Sequence, residues 1–211
     1  MREIWLAALV SVSLTGAPAL AQAPVAPAPG PGAGKLLTLT PDDRILGNKD
    51  APVTIVEYAS LTCPHCAHFS TAVLPEVKKK WIDTGKAKLV MRDYPLDEPA
   101  LRAAEVARCA PADKFYPMID TLFADQQQWV LNKDYKAALA RMALLAGIGK
   151  PQFDQCLANK AGEDKVLQSR LSATQQLGVN STPTFFINGV KFEGEPTVEG
   201  FDAALGRAAG S

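Results

Sequence analysis

Residues 60 to 69 read Ser-Leu-Thr-Cys-Pro-His-Cys-Ala-His-Phe. Cys63 and Cys66 stand two residues apart, and both histidines of the chain, His65 and His68, fall in the same stretch. Three kinds of chemistry use such residues: metal ligation, a structural bridge, and a disulfide that forms and opens in turn. A bridge across so short a gap removes little unfolded-state entropy. A metal needs converging ligands, but on a helix Cys63 and Cys66 share a face with which His65 and His68 do not both align. Haem attachment needs a His directly after the second cysteine, where Ala67 stands. Exchange chemistry fits best. At the start of a helix the Cys63 sulfur meets unpaired N–H groups and the positive end of the helix dipole. Pro64 sits where its missing N–H costs nothing, and His65 adds a donor or a positive charge near the same sulfur. A stabilised thiolate favours the reduced pair and makes the disulfide an oxidant. Cys63 is then the nucleophile, and Cys66, one turn in and less exposed, the resolving thiol.

The elements around this stretch must hold it at a strand-to-helix junction. Val53-Thr54-Ile55-Val56 is β-branched and near-continuously apolar, as a central strand buried on both faces would be. Beyond the cysteines, Phe69, Val73, Val77 and Trp81 recur four apart, and Pro75 should kink the helix they define. Asp83-Thr84-Gly85 ends it, and a second strand centres on Leu89-Val90-Met91. Strand, long helix, strand is a crossover unit with parallel pairing. From Asp97 to Leu177 the pattern is helical, with Asp97 as a cap and Pro99 in the first turn. Tyr135, Leu139, Met142 and Ala146 share a face ahead of Gly147, and Gly178 stops the last helix. Residues 182–194 then read as a hairpin turning at Asn188-Gly189 in a type I′ turn, and Val198, Phe201 and Leu205 mark a final amphipathic helix. Pro183 heads an apolar strand. It is a candidate cis residue that leaves the backbone of Thr182 free to pair with an extended substrate. The order β, α, β, helices, β, β, α describes one α/β domain with a helical insertion.

The 211 residues, 47% apolar, suffice for one sizeable core. Lys plus Arg and Asp plus Glu are equal at 22 each, and no basic stripe exists, so nucleic acid is not an expected partner. Lys78-Lys79-Lys80 reads as a solvated helix face. The N-terminus reads as an export signal over residues 1–21: Arg2, an apolar run from Ile4 to Leu14, and Ala19-Leu20-Ala21 as the cleavage site. An uncleaved anchor is the competing reading. Residues 22–34 hold only Gln, Ala, Pro, Val and Gly and should form an extended tether. An exported chain keeps its disulfides. If Cys63 pairs with Cys66, Cys109 is left with Cys156, as a structural staple, two buried free thiols or a second redox pair. A bridge there would contribute ~3–4 kcal/mol.

The stretches APVTIVEYASLTCPHCAHF, DTGKAKLVMRDYPLD and GVNSTPTFFING together resemble the DsbA family of thiol–disulfide oxidoreductases, over about Ile45 to Ala208. The resemblance implies a thioredoxin fold with an inserted helical domain: residues 35–96 and 178–211 form the thioredoxin-like domain, 97–177 the insertion. It implies Cys63 as nucleophile, Cys66 as resolving thiol and a cis Thr182–Pro183 bond packed against them. Glu57 matches a buried acid that the family uses near its active site; its alternative is a strand-end carboxylate facing solvent. Some relatives also carry an additional disulfide of the Cys109–Cys156 kind. The implied protein is a monomeric periplasmic enzyme without a dissociable cofactor or metal. It oxidises unfolded exported proteins with free thiols and is reset by a membrane quinone-linked oxidase. The alternatives are a reductase or isomerase of the same fold, served by a membrane reductant, and a metal-binding module. Thr182 departs from the Val that precedes the proline in the best-known oxidases, which loosens the division between oxidase and isomerase. The tether is too short to be the dimerisation domain of an isomerase.

Overall fold

The computed structural model describes Met1 and residues 33–210. The expected export signal, Met1 apart, and the tether up to residue 32 lie outside these residues. The described part opens with helix α1, Ala33–Leu36, strand β1, Ile45–Gly47, and strand β2, Val53–Ala59. A continuous helical run follows. It comprises α2, Pro64–His68, a π-helical turn over Phe69–Val73, α3, Leu74–Val77, and a second π-helical turn over Lys78–Ile82. The interruption expected at Pro75 takes the form of the first π turn. The Leu74 N–H reaches back five residues to the Phe69 carbonyl, and Pro75, which has no N–H, sits in the first turn of α3. Strand β3 is Ala87–Asp93.

The insertion holds α4, Glu98–Cys109, α5, Phe115–Ala124, α6, Gln126–Val130, α7, Tyr135–Leu145, α8, Lys150–Ala158, and α9, Lys160–Leu177. Asp97 caps α4 by accepting the Ala100 N–H at 2.9 Å. Gly178 ends α9 in the left-handed region, φ 66°, where a Cβ would be strained. Strands β4, Thr184–Ile187, and β5, Val190–Lys191, flank Asn188 and Gly189, whose φ values of 47° and 82° make the expected primed turn. Helix α10, Val198–Ala209, closes the fold.

The sheet order is β1-β3-β2-β4-β5. β2 pairs parallel with β3, as the crossover requires, and antiparallel with β4, with Tyr58 opposite Thr184. β1, an antiparallel edge strand on β3, is an element that the sequence reading lacks. Because β2 is central, alternate residues feed two cores. Val53 and Ile55 pack with Phe69, Val77, Phe185 and Phe201, and Val56 and Tyr58 pack with Tyr94, Leu177 and Phe186. A third cluster fills the insertion around Phe115, Leu122 and Trp129, and Cys63 and Cys66 belong to it. The cysteines therefore sit where the sheet domain and the insertion meet. Cys109 and Cys156 are joined in a disulfide between α4 and α8.

Candidate active site

β2 ends at Ala59, and the chain turns through Ser60–Cys63 before entering α2. The turn is closed by the Cys63 N–H donating to the Ser60 carbonyl at 3.1 Å. Cys63 is the N-cap of α2 with Pro64 in the first turn, so the expected placement at a helix start holds. Both cysteines are free thiols and both are buried, Cys66 completely and Cys63 at 5% exposure.

The Thr182–Pro183 bond is cis, and the Thr182 carbonyl accepts the Cys63 thiol at 3.2 Å. The Thr182 hydroxyl is buried without a partner in this state, which leaves a donor beside the sulfur when Cys63 ionises. Donors converge on that sulfur. The Cys66 thiol is the largest influence. Burial opposes it, and the Thr182 side chain and the backbone N–H groups of Cys66 and His65 reinforce it; together they hold Cys63 down at about 5. Cys66 moves the other way, pushed far up by burial, then by its hydrogen bond to Cys63 and by the charges of Glu57 and Cys63.

Glu57 lies within β2 and is buried, not facing solvent. Burial, with the charge of Cys63 added, raises its carboxyl to about 8. Its Oε1 has no hydrogen-bond partner. Position 65 favours the Cys63 thiolate through its backbone N–H, although the thiol accepts no capping hydrogen bond, and the imidazoles of His65 and His68 are both exposed. Among the described residues, no group of three or more His, Cys, Asp or Glu side chains is placed to hold a metal. A cavity of about 520 Å³ lies elsewhere, beside Cys109 and Cys156. Its walls are largely self-paired, Arg92 with Asp43 and Arg108 with Asp93, and none of them belongs to the Cys63 site.

Two contacts from the insertion escape the sequence reading. Asp97, expected only as a helix cap, also accepts the Thr62 hydroxyl at 2.9 Å. Gln126 donates from Nε2 to the carbonyls of Leu61 and Cys63 at 2.9 and 3.0 Å. Nothing in the sequence near Gln126 signals this, because its partners lie more than 60 residues away.

Residues 39–207 match the family described as thioredoxin. The crystal structure of Wolbachia pipientis alpha-DsbA1 superposes with a TM-score of 0.78 at 32% identity, over 84% of this chain and 96% of that one. A Rickettsia bellii protein provisionally named a protein-disulfide oxidoreductase is 32% identical over 168 residues, 79% of this chain and 64% of its own length. A Rickettsia conorii protein of the same provisional name is 34% identical over 172 residues, 79% of this chain and 60% of its own. The chain thus spans less than two thirds of the length of these curated relatives. It belongs to the thioredoxin superfamily, in its DsbA-like branch, and its fold is thioredoxin-like.

Proposed function

We propose that this chain is a thiol–disulfide oxidoreductase that donates the Cys63–Cys66 disulfide to newly exported polypeptides in the periplasm. The observation that carries the reading is the unequal placement of the two sulfurs: Cys63 caps α2 against the cis Thr182–Pro183 segment, and Cys66 is completely buried one turn in, so the first is favoured as a thiolate and the second is kept a thiol. A client thiolate attacks Sγ of Cys63 in the oxidised pair. The Cys63–Cys66 bond breaks, Cys66 leaves with the electron pair and takes up a proton, and a mixed disulfide stands at Cys63. The client's second thiolate then attacks its own mixed-disulfide sulfur, and Cys63 departs as a thiolate that needs no proton near neutral pH. Two client thiols have been oxidised and the enzyme pair reduced by two electrons. A membrane quinone-linked oxidase would take up those electrons and restore the disulfide.

Both departures suit the site. The low affinity of Cys63 for protons makes it a good leaving group in the second step. Glu57, buried near Cys66 and titrating at about 8, is a proton source for that sulfur in the first. The test mixes oxidised protein with a reduced peptide carrying two cysteines and follows both by mass. The peptide disulfide should appear one-for-one with loss of the protein's, and Cys63→Ser should abolish the transfer. Transfer at the parent rate in Cys63→Ser would refute the assignment.

A further inference from the structure

The turn carrying Cys63 is gripped from the insertion by one buried side chain. Gln126 opens α6, and both hydrogen bonds of its Nε2 cross to the turn: one to the Leu61 carbonyl at 2.9 Å, the other to the Cys63 carbonyl at 3.0 Å. The second acceptor is the carbonyl that begins α2, since it also receives the Ala67 N–H at 3.1 Å. The same carboxamide therefore fixes the first peptide of the helix and the peptide two residues before it. α2 is the first five residues of the continuous helical run, so the Cys63 carbonyl is the point at which the turn joins that run. The other tie from the insertion to the turn, from Thr62 to Asp97, is exposed, and the Leu96 N–H just ahead of it donates to the Ser60 hydroxyl at 3.3 Å. Buried hydrogen bonds hold geometry more firmly than exposed ones.

We infer that Gln126 is a positioning residue for the exchange reaction proposed above: it fixes the entry of α2, so that the Cys63 sulfur stays within reach of the His65 and Cys66 N–H groups and of Thr182. The inference rests on that functional reading. Hydrogen bonds to a sulfur weaken steeply with misalignment, so a turn free to rotate would lose several donors together and hold the thiolate less well.

The test titrates the Cys63 thiolate by its absorbance and measures its equilibrium with glutathione, in the full chain and in three variants. Gln126→Met keeps the length and apolar volume but donates nothing. Gln126→Glu sets an acceptor against the two carbonyls that Gln126 now bonds. Trp129→Phe, a control on the same helix, removes the indole hydrogen bond to the Leu122 carbonyl and leaves the turn alone. In Gln126→Met the thiolate midpoint should move up, and the equilibrium constant for glutathione oxidation should fall by about threefold to tenfold. Gln126→Glu should move both further. Trp129→Phe should melt lower with neither value changed. A Gln126→Met protein that melts lower but titrates and equilibrates like the parent overturns the inference, as does a Trp129→Phe variant that shifts both values equally. If Gln126→Met does not fold, Gln126→Glu decides by the same readouts. A parent chain that shows no exchange at Cys63 overturns the functional reading and this inference with it, a distinct result.

Discussion

Two cysteines three positions apart are driven in opposite directions, and the cause is local. Cys63 occupies the N-cap, where the Cys66 thiol, the Thr182 side chain and two backbone N–H groups favour its charge; Cys66 is buried one turn further in and faces the charges of Glu57 and Cys63. Alkylation of the reduced protein by iodoacetamide should therefore reach half its limiting rate at Cys63 near pH 5, with Cys66 unmodified in the native state. A midpoint near 9, the ordinary thiol value, would contradict this. Glu57 gives a second prediction. Its carboxyl titrates at about 8 instead of 4.5, so between those values the folded protein holds a proton that the unfolded chain has released. Its contribution to stability falls as pH rises through that window, and the full cost stands above about 8. Glu57→Gln should be more stable than the parent above that pH by roughly 5 kcal/mol, and the gap should close towards pH 4.5, as read by urea denaturation of the reduced proteins. A gap independent of pH would contradict the assignment. At this scale the sequence was legible where chemistry is written contiguously, as in Cys63-Pro64-His65-Cys66 and Thr182-Pro183. It was silent where only tertiary placement separates like residues. Gln126, Gln127 and Gln128 are chemically identical, yet only Gln126 is buried. Glu57 read equally well as exposed, and it is the packing over the faces of the sheet at the central strand β2 that buries it.

The elements were legible in proportion to their periodicity. Phe69, Val73, Val77 and Trp81 announce a helix that all four anchor to the sheet, and a π turn ahead of α3 accommodates Pro75 without loss of that face. Asp97 caps α4 and Gly178 ends α9 in structure as in sequence, because a cap and a left-handed glycine each act through a single residue. β1 escaped notice because three half-exposed residues carry no pattern. Between α4 and α8 the Cys109–Cys156 disulfide closes a separation of 47 residues. Replacing both cysteines with alanine should lower stability by ~3–4 kcal/mol in equilibrium denaturation. The double variant should still transfer its disulfide to a dithiol peptide, since the bridge does not touch Cys63. Loss of transfer in a folded double variant would assign that pair to the reaction.

At the scale of the whole molecule, the cysteines lie at the seam between two bodies. The sheet domain supplies β2, α2 and the Thr182–Pro183 segment. The insertion supplies most of the apolar cluster that Cys63 and Cys66 join, together with the Gln126 and Asp97 contacts. A thiolate favoured by so many donors stabilises the dithiol over the disulfide, so the oxidised protein should be a strong disulfide donor. The most direct test is the equilibrium of the Cys63–Cys66 pair against a glutathione redox series, with the state of Cys109 and Cys156 fixed by mass. A potential of about −120 mV, the value of DsbA itself, is expected; a value of about −270 mV, that of thioredoxin, would contradict the assignment and make the chain a reductant.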